Sequence, residues 1–255
     1  MNENNKLVPV AMVIVGLLIA GAIYYRPTAP PTDNNQAAVS QAEALKQAKA
    51  SLTKMAFVSP TEHLLGSVEA PLILVEYSDL ECPFCKAFHF AAQSLNEKYI
   101  STNQLAIVFR QFPLTIHSKA PTEAAGAECV SQLGDNNKFW QYLDKIFAAT
   151  PSNNGLDLAL LPKIAGDLGI DQTKFNACLN DNKTKSLIDD QIKKGLDIDV
   201  NGTPFIIALG PKGEKIMPFY EPIPATWSDT DKQIISDLTT AYQVEIDKLR
   251  SAPTK

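Results

Sequence analysis

Between residues 72 and 109 the spacing of apolar positions changes twice. Leu72-Ile73-Leu74-Val75-Glu76-Tyr77 is apolar and β-branched, which predicts a buried strand. Phe84, Phe88, Ala91, Leu95 and Tyr99 then recur at three- and four-residue steps, which predicts an amphipathic helix. Leu105 to Phe109 returns to the strand pattern. Strand, helix and strand make a βαβ unit, whose crossover is right-handed. Upstream, Glu62-His63-Leu64-Leu65-Gly66 reads as a short edge strand and turn.

Over residues 118–197 the patterns are all helical. Phe139, Leu143, Ile146 and Phe147 mark one helix, and Leu158, Leu161, Ile164, Ala165 and Leu168 another, with Pro162 leaving the start of the second open. Phe175 to Leu179 belongs to a short helix, and Leu187, Ile188, Ile192 and Leu196 to a longer one. These helices form one all-helical block inserted between the halves of an α/β sheet. Phe205 to Leu209 resumes the strand pattern, Gly210-Pro211-Lys212-Gly213 is a turn, and Glu214 to Met217 pairs back as a hairpin. A last helix carries Ile235, Leu238, Tyr242, Ile246 and Leu249, while Met217 to Asp229 has no assignable element.

The N-terminal pattern differs. Leu7 to Tyr25 is apolar throughout, between Lys6 and Arg26. About nineteen such residues just span a bilayer. Two readings compete: an uncleaved anchor, or a signal peptide cut after Ala20-Gly21-Ala22. Tyr24 and Tyr25 suit an interfacial belt and favour the anchor. Either reading puts the rest of the chain outside the cytoplasm, in the periplasm or at the cell surface of a bacterium. Residues 1–26 are thus a transmembrane anchor or signal segment. Residues 27–56 are a linker and a solvated stalk, and residues 57–255 are the folded domain, with its helical insertion at 118–197.

Composition narrows the partners. A chain of 255 residues, less one anchor, suits one domain with an inserted subdomain. A formal net charge of −5 offers no basic patch for nucleic acid. Four cysteines and three histidines are too few for a disulfide scaffold, and no histidine pairs with a carboxylate at metal spacing, so neither metal nor cofactor is implied.

The chemistry lies where the first strand gives way to the helix, at Glu81-Cys82-Pro83-Phe84-Cys85-Lys86. Pro83 fits a first helical turn, where its missing N–H is not needed. The positive end of the helix and its free N–H groups lower a thiol pKa. Cys82, at the very end, is expected to be exposed, with Cys85 one turn in and shielded. A Cys-x-x-Cys pair on such a junction is a redox dithiol signal. Glu81 is expected to face solvent. His89 reads as a histidine on the helix surface, His117 as a capping or packing residue in a loop, and His63 as preceding the first strand.

Val75-Glu76-Tyr77-Ser78-Asp79-Leu80-Glu81-Cys82-Pro83-Phe84-Cys85 resembles the active-site run of DsbA-like thiol-disulfide oxidoreductases, and Val200-Asn201-Gly202-Thr203-Pro204 resembles that family's second signature. The resemblance runs from Glu62 to about Leu249. It implies a thioredoxin fold, a central mixed sheet flanked by helices, with the helical insertion. Cys82 would be the nucleophilic thiol and Cys85 the resolving one. Thr203 and Pro204, joined by a cis bond, would bind an extended substrate strand together with Pro83 and Phe84. Glu76 would be a buried acid relaying a proton to Cys85. Similar family members carry cysteines at places corresponding to Cys129 and Cys178, which leaves a structural disulfide, a second redox pair, two free thiols or a zinc site with the other two cysteines. The implied activity is formation of disulfides in exported cysteine-containing proteins, with a membrane quinone-linked thiol oxidase recycling the dithiol. Alternatives are a reductase or isomerase of the same fold, or a peptide-binding module in which Cys82–Cys85 is only a staple.

Overall fold

The computed structural model of the chain describes residues 58, 62–210, 215–216 and 228–251. Its sheet is organised on β2 (Leu72–Ser78), in which every residue is buried. A strand so apolar needs cover on both faces and partners on both edges. β3 (Leu105–Gln111) runs parallel to it, from Leu72 opposite Leu105 to Ser78 opposite Gln111. β4 (Phe205–Leu209) lies antiparallel on the other edge, with Tyr77 opposite Phe205. With β1 (His63–Leu65) and β5 (Lys215–Ile216), the strand order is β1-β3-β2-β4-β5. The mixed sheet expected from the sequence is therefore present.

Side chains on a strand alternate between faces. Leu72 and Leu74 enter one core with Phe88, Leu95 and Leu105, whereas Ile73, Val75 and Tyr77 enter another with Val108, Phe112, Val200 and Ile207. The same alternation turns Glu76 toward the first core and toward the helix that connects β2 to β3. That helix, α1, covers Pro83–Ser94 and buries Cys85, Ala87, Phe88, His89, Ala91 and Ala92. The expected helix reaching Tyr99 is divided: Leu95, at φ −97° and ψ 1°, ends α1, and Asn96–Ile100 form a separate π-helical turn. Tyr99 is still buried, and its hydroxyl donates to Asp237 at 2.7 Å. Asp237 belongs to α7 (Asp229–Ser251), which packs on α1 with Tyr242 edge-on to Phe88 at 5.8 Å between ring centroids.

Five helices lie between β3 and β4: α2 (Ala120–Leu133), α3 (Asn136–Ala149), α4 (Leu160–Asp167), α5 (Gln172–Leu179) and α6 (Asn182–Leu196). Three begin with an aspartate whose carboxylate accepts a backbone N–H: Asp135 from Lys138, Asp171 from Lys174 and Asp181 from Lys183. Each such cap contributes about 1 kcal/mol. Pro162 causes no kink, because it falls in the first turn of α4, where backbone donors have no partners to lose. Phe139, Tyr142, Leu143, Ile146, Phe147 and Phe175 are fully buried among these helices. α6 then returns to the sheet so closely that a Cβ on Gly195 would lie 2.8 Å from the Phe112 ring and 3.0 Å from the Tyr77 ring. Only glycine fits there.

The membrane-anchored localisation expected above needs correction. No helix among the described residues is long and apolar enough to cross a membrane. The Leu7–Tyr25 run that suggested an anchor, the stalk and most of residues 211–227 lie outside the described residues.

Candidate active site

The turn from β2 into α1 is held by its own polar groups. Cys82 is the N-cap of α1, extended at φ −79° and ψ 121°, and Pro83 opens the helix. The Cys82 N–H donates to Asp79 O at 3.1 Å, and the Glu81 N–H donates to Asp79 Oδ1 at 2.7 Å. The Asp79 N–H donates to Cys85 Sγ at 3.4 Å. The register that sets Phe205 opposite Tyr77 brings the residues before Phe205 alongside this turn. The Thr203–Pro204 peptide bond is cis, and the Cys82 thiol donates to Thr203 O at 3.4 Å. Cys82, Cys85, Thr203 and Pro204 thus converge although about 120 residues separate the two pairs. Phe84, between the cysteines, is 49% exposed, and Pro83 is half-buried.

Cys82 is less accessible than expected from its place at the helix end. It is 4% exposed, because the Thr203 segment covers it. Its chemistry still differs sharply from that of Cys85. The Cys85 thiol beside it outweighs the opposing effect of burial. With help from the backbone N–H groups of Cys85 and Phe84 and from Thr203, it brings Cys82 down to about 6. Burial pushes the Cys85 thiol well above its ordinary value, reinforced by Cys82 and Glu76. The pair therefore ionises in one order, Cys82 first.

Glu76 lies beneath the pair. It is 2% exposed, and one carboxyl oxygen, Oε1, has no hydrogen-bond partner among the described residues. Burial raises its pKa to about 8 despite the nearby Ser78 hydroxyl, and Cys82 raises it further. Glu76 also lines a cavity of about 350 Å³ with His89, Ala92, Trp140 and Asp144. A carboxyl that is neutral at pH 7 and lies near the two thiols can give or take a proton there.

A pH-dependence follows with a definite sign. The folded protein holds the Glu76 proton up to about pH 8, whereas an unfolded glutamate releases it near 4.5. Folding stability should therefore fall as pH rises between those two values. Glu76→Gln should flatten that stretch of the curve, as urea unfolding at several pH values would show. An unchanged slope in the variant would rule out Glu76 as its source.

Two further expectations are corrected. Glu81 is fully buried rather than solvent-facing, since the Leu156 and Gly155 N–H groups donate to its carboxylate at 3.0 and 3.2 Å. His89 is 3% exposed because α3 covers it: Nε2 donates to Asp144 Oδ1 at 2.9 Å, and the ring stacks near Trp140 and Phe147. His117 is buried as well, with Nδ1 donating to Asp79 Oδ2 at 2.9 Å. His63 lies in β1, pairs with Glu128 at 3.0 Å and stacks on Phe139. Cys129 of α2 and Cys178 of α5 are joined by a disulfide. No group of side chains suited to holding a metal ion occurs among the described residues.

The chain is similar to several known proteins. A solved structure of DsbA2 from Pseudomonas aeruginosa is 27% identical, covers 71% of this chain and 96% of its own, and superposes with a TM-score of 0.55. A Rickettsia conorii protein provisionally named a protein-disulfide oxidoreductase is 32% identical over 169 residues, which cover 62% of this chain and 58% of that one. The Na⁺/H⁺ antiporter NhaA 1 of Mycolicibacterium vanbaalenii is 29% identical over 152 residues, 58% of this chain. The match spans only 23% of the antiporter's length. The fold is thioredoxin-like. The thioredoxin family model matches residues 58–219, which take in the dithiol, the inserted helices and the cis-proline strand, and the chain belongs to that family.

Proposed function

We propose that the chain is a thiol-disulfide oxidoreductase of the DsbA type that donates its Cys82–Cys85 disulfide to client proteins. The observation that carries this reading is the asymmetry of the two thiols, one lowered to about 6 and the other raised, beneath the Thr203 carbonyl. The resemblance to DsbA2 supports it.

The steps are as follows. A client thiolate attacks the sulfur of Cys82 in the oxidised enzyme. A client–Cys82 bond forms, the Cys82–Cys85 bond breaks, and Cys85 leaves as a thiolate. Glu76, neutral below about pH 8, supplies the proton that Cys85 requires. A second client thiolate attacks the client sulfur of the mixed disulfide and releases Cys82 as a thiolate. Two electrons have passed from client to enzyme, and the client holds a new disulfide. The backbone of Thr203, freed from the sheet by Pro204, aligns the extended client segment, while the exposed ring of Phe84 and Pro83 contact its side chains.

The acidity of Cys82 supports the donor direction. An acidic leaving thiol stabilises the reduced enzyme and so makes the disulfide a stronger oxidant. Clients are cysteine-containing exported proteins, met in an oxidising compartment where a disulfide such as Cys129–Cys178 persists. Reoxidation falls to a partner, a quinone-linked thiol oxidase in a membrane. Equilibration of the dithiol with a glutathione redox buffer tests the direction. A donor equilibrates in oxidising mixtures of reduced and oxidised glutathione, whereas a reductase stays oxidised until strong dithiols are added.

A further inference from the structure

Glu81 precedes the nucleophilic thiol directly, and its burial demands an explanation. Its carboxylate accepts from the Leu156 N–H at 3.0 Å, the Gly155 N–H at 3.2 Å and the Thr150 hydroxyl at 3.3 Å. Its carbonyl accepts from the Asn153 N–H at 2.8 Å. All these donors belong to one loop, between α3 and α4. Three consecutive residues of that loop, Ser152, Asn153 and Asn154, hold φ at 67°, 54° and 67°. Asparagine adopts this left-handed conformation more readily than most L-residues, and Ser152 is the one of the three for which it is uncommon. The same loop takes the Lys86 ammonium on Thr150 O at 2.7 Å, so it grips the dithiol helix on both sides of the cysteines.

Glu123 of α2 completes the arrangement. It is fully buried, and neither of its carboxyl oxygens receives a donor among the described residues. Its carboxyl meets that of Glu81. Two buried carboxylates side by side cannot both ionise, so one must carry the proton and donate it. The surroundings select Glu123. Burial first, then its bond to Glu81 and the charges of Glu81 and Asp79, raise it to about 9, against a small opposing pull from Lys119. Burial pushes Glu81 up too, but the bond from Glu123 and the backbone N–H groups outweigh it and leave Glu81 below its ordinary value. Tyr142 of α3 also faces Glu123, with its hydroxyl donating to Leu161 O at 3.4 Å, and His117 is bound to Asp79.

We propose that Glu81 and Glu123 are positioning residues, a proton-sharing carboxyl pair through which the helical insert holds the Cys82 turn in its thiolate-stabilising geometry. The acidity of Cys82 comes from hydrogen bonds, those of the Cys85 thiol and of the Cys85 and Phe84 N–H groups, and such bonds depend on alignment. The turn is clasped twice. Asp79 binds the Leu114 N–H and His117 on one side, and Glu81 binds the loop 150–156 and Glu123 on the other. The consequence for exchange rests on the oxidoreductase reading, whereas the acidity of Cys82 can be measured without it.

Four single variants test the pair: Glu81→Leu, Glu123→Leu, Glu81→Gln and Glu123→Gln. Either glutamine keeps one amide-to-carboxyl bond across the pair, and either leucine removes it. The pKa of Cys82 is read from the rate of alkylation by iodoacetamide against pH in the reduced protein, with circular dichroism as the check of folding. The leucine variants should raise the Cys82 pKa by about one unit, a tenfold loss in the thiolate-to-thiol ratio. The glutamine variants should stay within a third of that shift. Glutathione equilibria on the same proteins at pH 7 should move about fivefold toward the disulfide in the leucine variants only. Should Cys82 be unmoved in folded leucine variants, or moved as far by glutamine as by leucine, the positioning role is overturned. If a leucine variant does not fold, the alanine variant at the same position takes its place in both readings, and an unmoved Cys82 there overturns the role. A wild-type dithiol that alkylates with an acidic Cys82 but never exchanges with glutathione would instead overturn the oxidoreductase reading and leave the coupling standing.

Discussion

Cys82→Ser should abolish disulfide transfer, and Cys85→Ala should accumulate client proteins bound through Cys82. The expectation rests on the difference between the two sulfurs. Cys82 is acidic, at about 6, and lies against the Thr203 carbonyl at 3.4 Å, whereas Cys85 is fully buried with its thiol pushed up. In the proposed exchange Cys82 is the sulfur that meets the client, so without it no first bond should form. Rates should fall to those of the uncatalysed exchange. With Cys85 absent, a mixed disulfide at Cys82 has no internal thiol to release it. Non-reducing electrophoresis of Cys85→Ala incubated with a client holding one disulfide would show a new band that thiol reductant removes. Normal turnover by Cys85→Ala would overturn the assignment of Cys85 as the resolving thiol.

Removing Cys129 and Cys178 together should cost stability and spare the chemistry. The two cysteines are 49 residues apart in sequence, and their bond ties α2 to α5. Closing a loop of that size stabilises by about 4 kcal/mol in the chain-entropy model. α5 runs for eight residues and fully buries only Phe175, which packs on the Tyr142 ring, so the bond is its covalent tie to α2. The double serine variant should lose roughly 2–5 kcal/mol in urea unfolding. Its rate of exchange at Cys82 should remain that of the wild type at temperatures where the protein stays folded. A loss under about 0.5 kcal/mol, the size of a neutral surface substitution, would contradict the structural role.

Much of the sheet could be read along the chain. β2, β3 and β4 are short apolar runs bounded by turn residues, and α1 shows its apolar stripe directly, so the βαβ unit and the seat of the dithiol are local properties of the sequence. The division of α1 from the π-helical turn was not legible, since the apolar spacing runs on through Tyr99 while the backbone break falls at Leu95. The start of α4 was ambiguous for a different reason. A proline inside an apolar pattern signals a break, and nothing nearby shows that Pro162 sits in the first turn, where it is tolerated.

The surroundings of the dithiol were harder to read, because they are assembled from distant segments. A glutamate before a cysteine at a helix start looks like a surface charge. Its burial comes from backbone N–H groups at 155 and 156 and from Glu123, none of which leaves a signal near Glu81. His89 lies on the flank of the α1 stripe, and only the arrival of α3, with Asp144, Trp140 and Phe147, encloses it. Cys82 looked exposed because a helix end usually is, and the segment that covers it lies about 120 residues downstream. One signal could have been used: Asp79, two residues before Glu81, forms an Asx turn, a pattern that Asp-x-Glu before a helix start permits.

The reduction potential of the Cys82–Cys85 pair, measured against glutathione with the helical insert and its disulfide intact, tests the central claim most directly. A disulfide donor with a Cys82 pKa near 6 should be less oxidising than DsbA, at about −120 mV, and more oxidising than thioredoxin, at about −270 mV. The account predicts a value of roughly −200 to −130 mV. A value below about −250 mV, in the range of a reductase, or a pair that does not equilibrate with thiols at all, would contradict it.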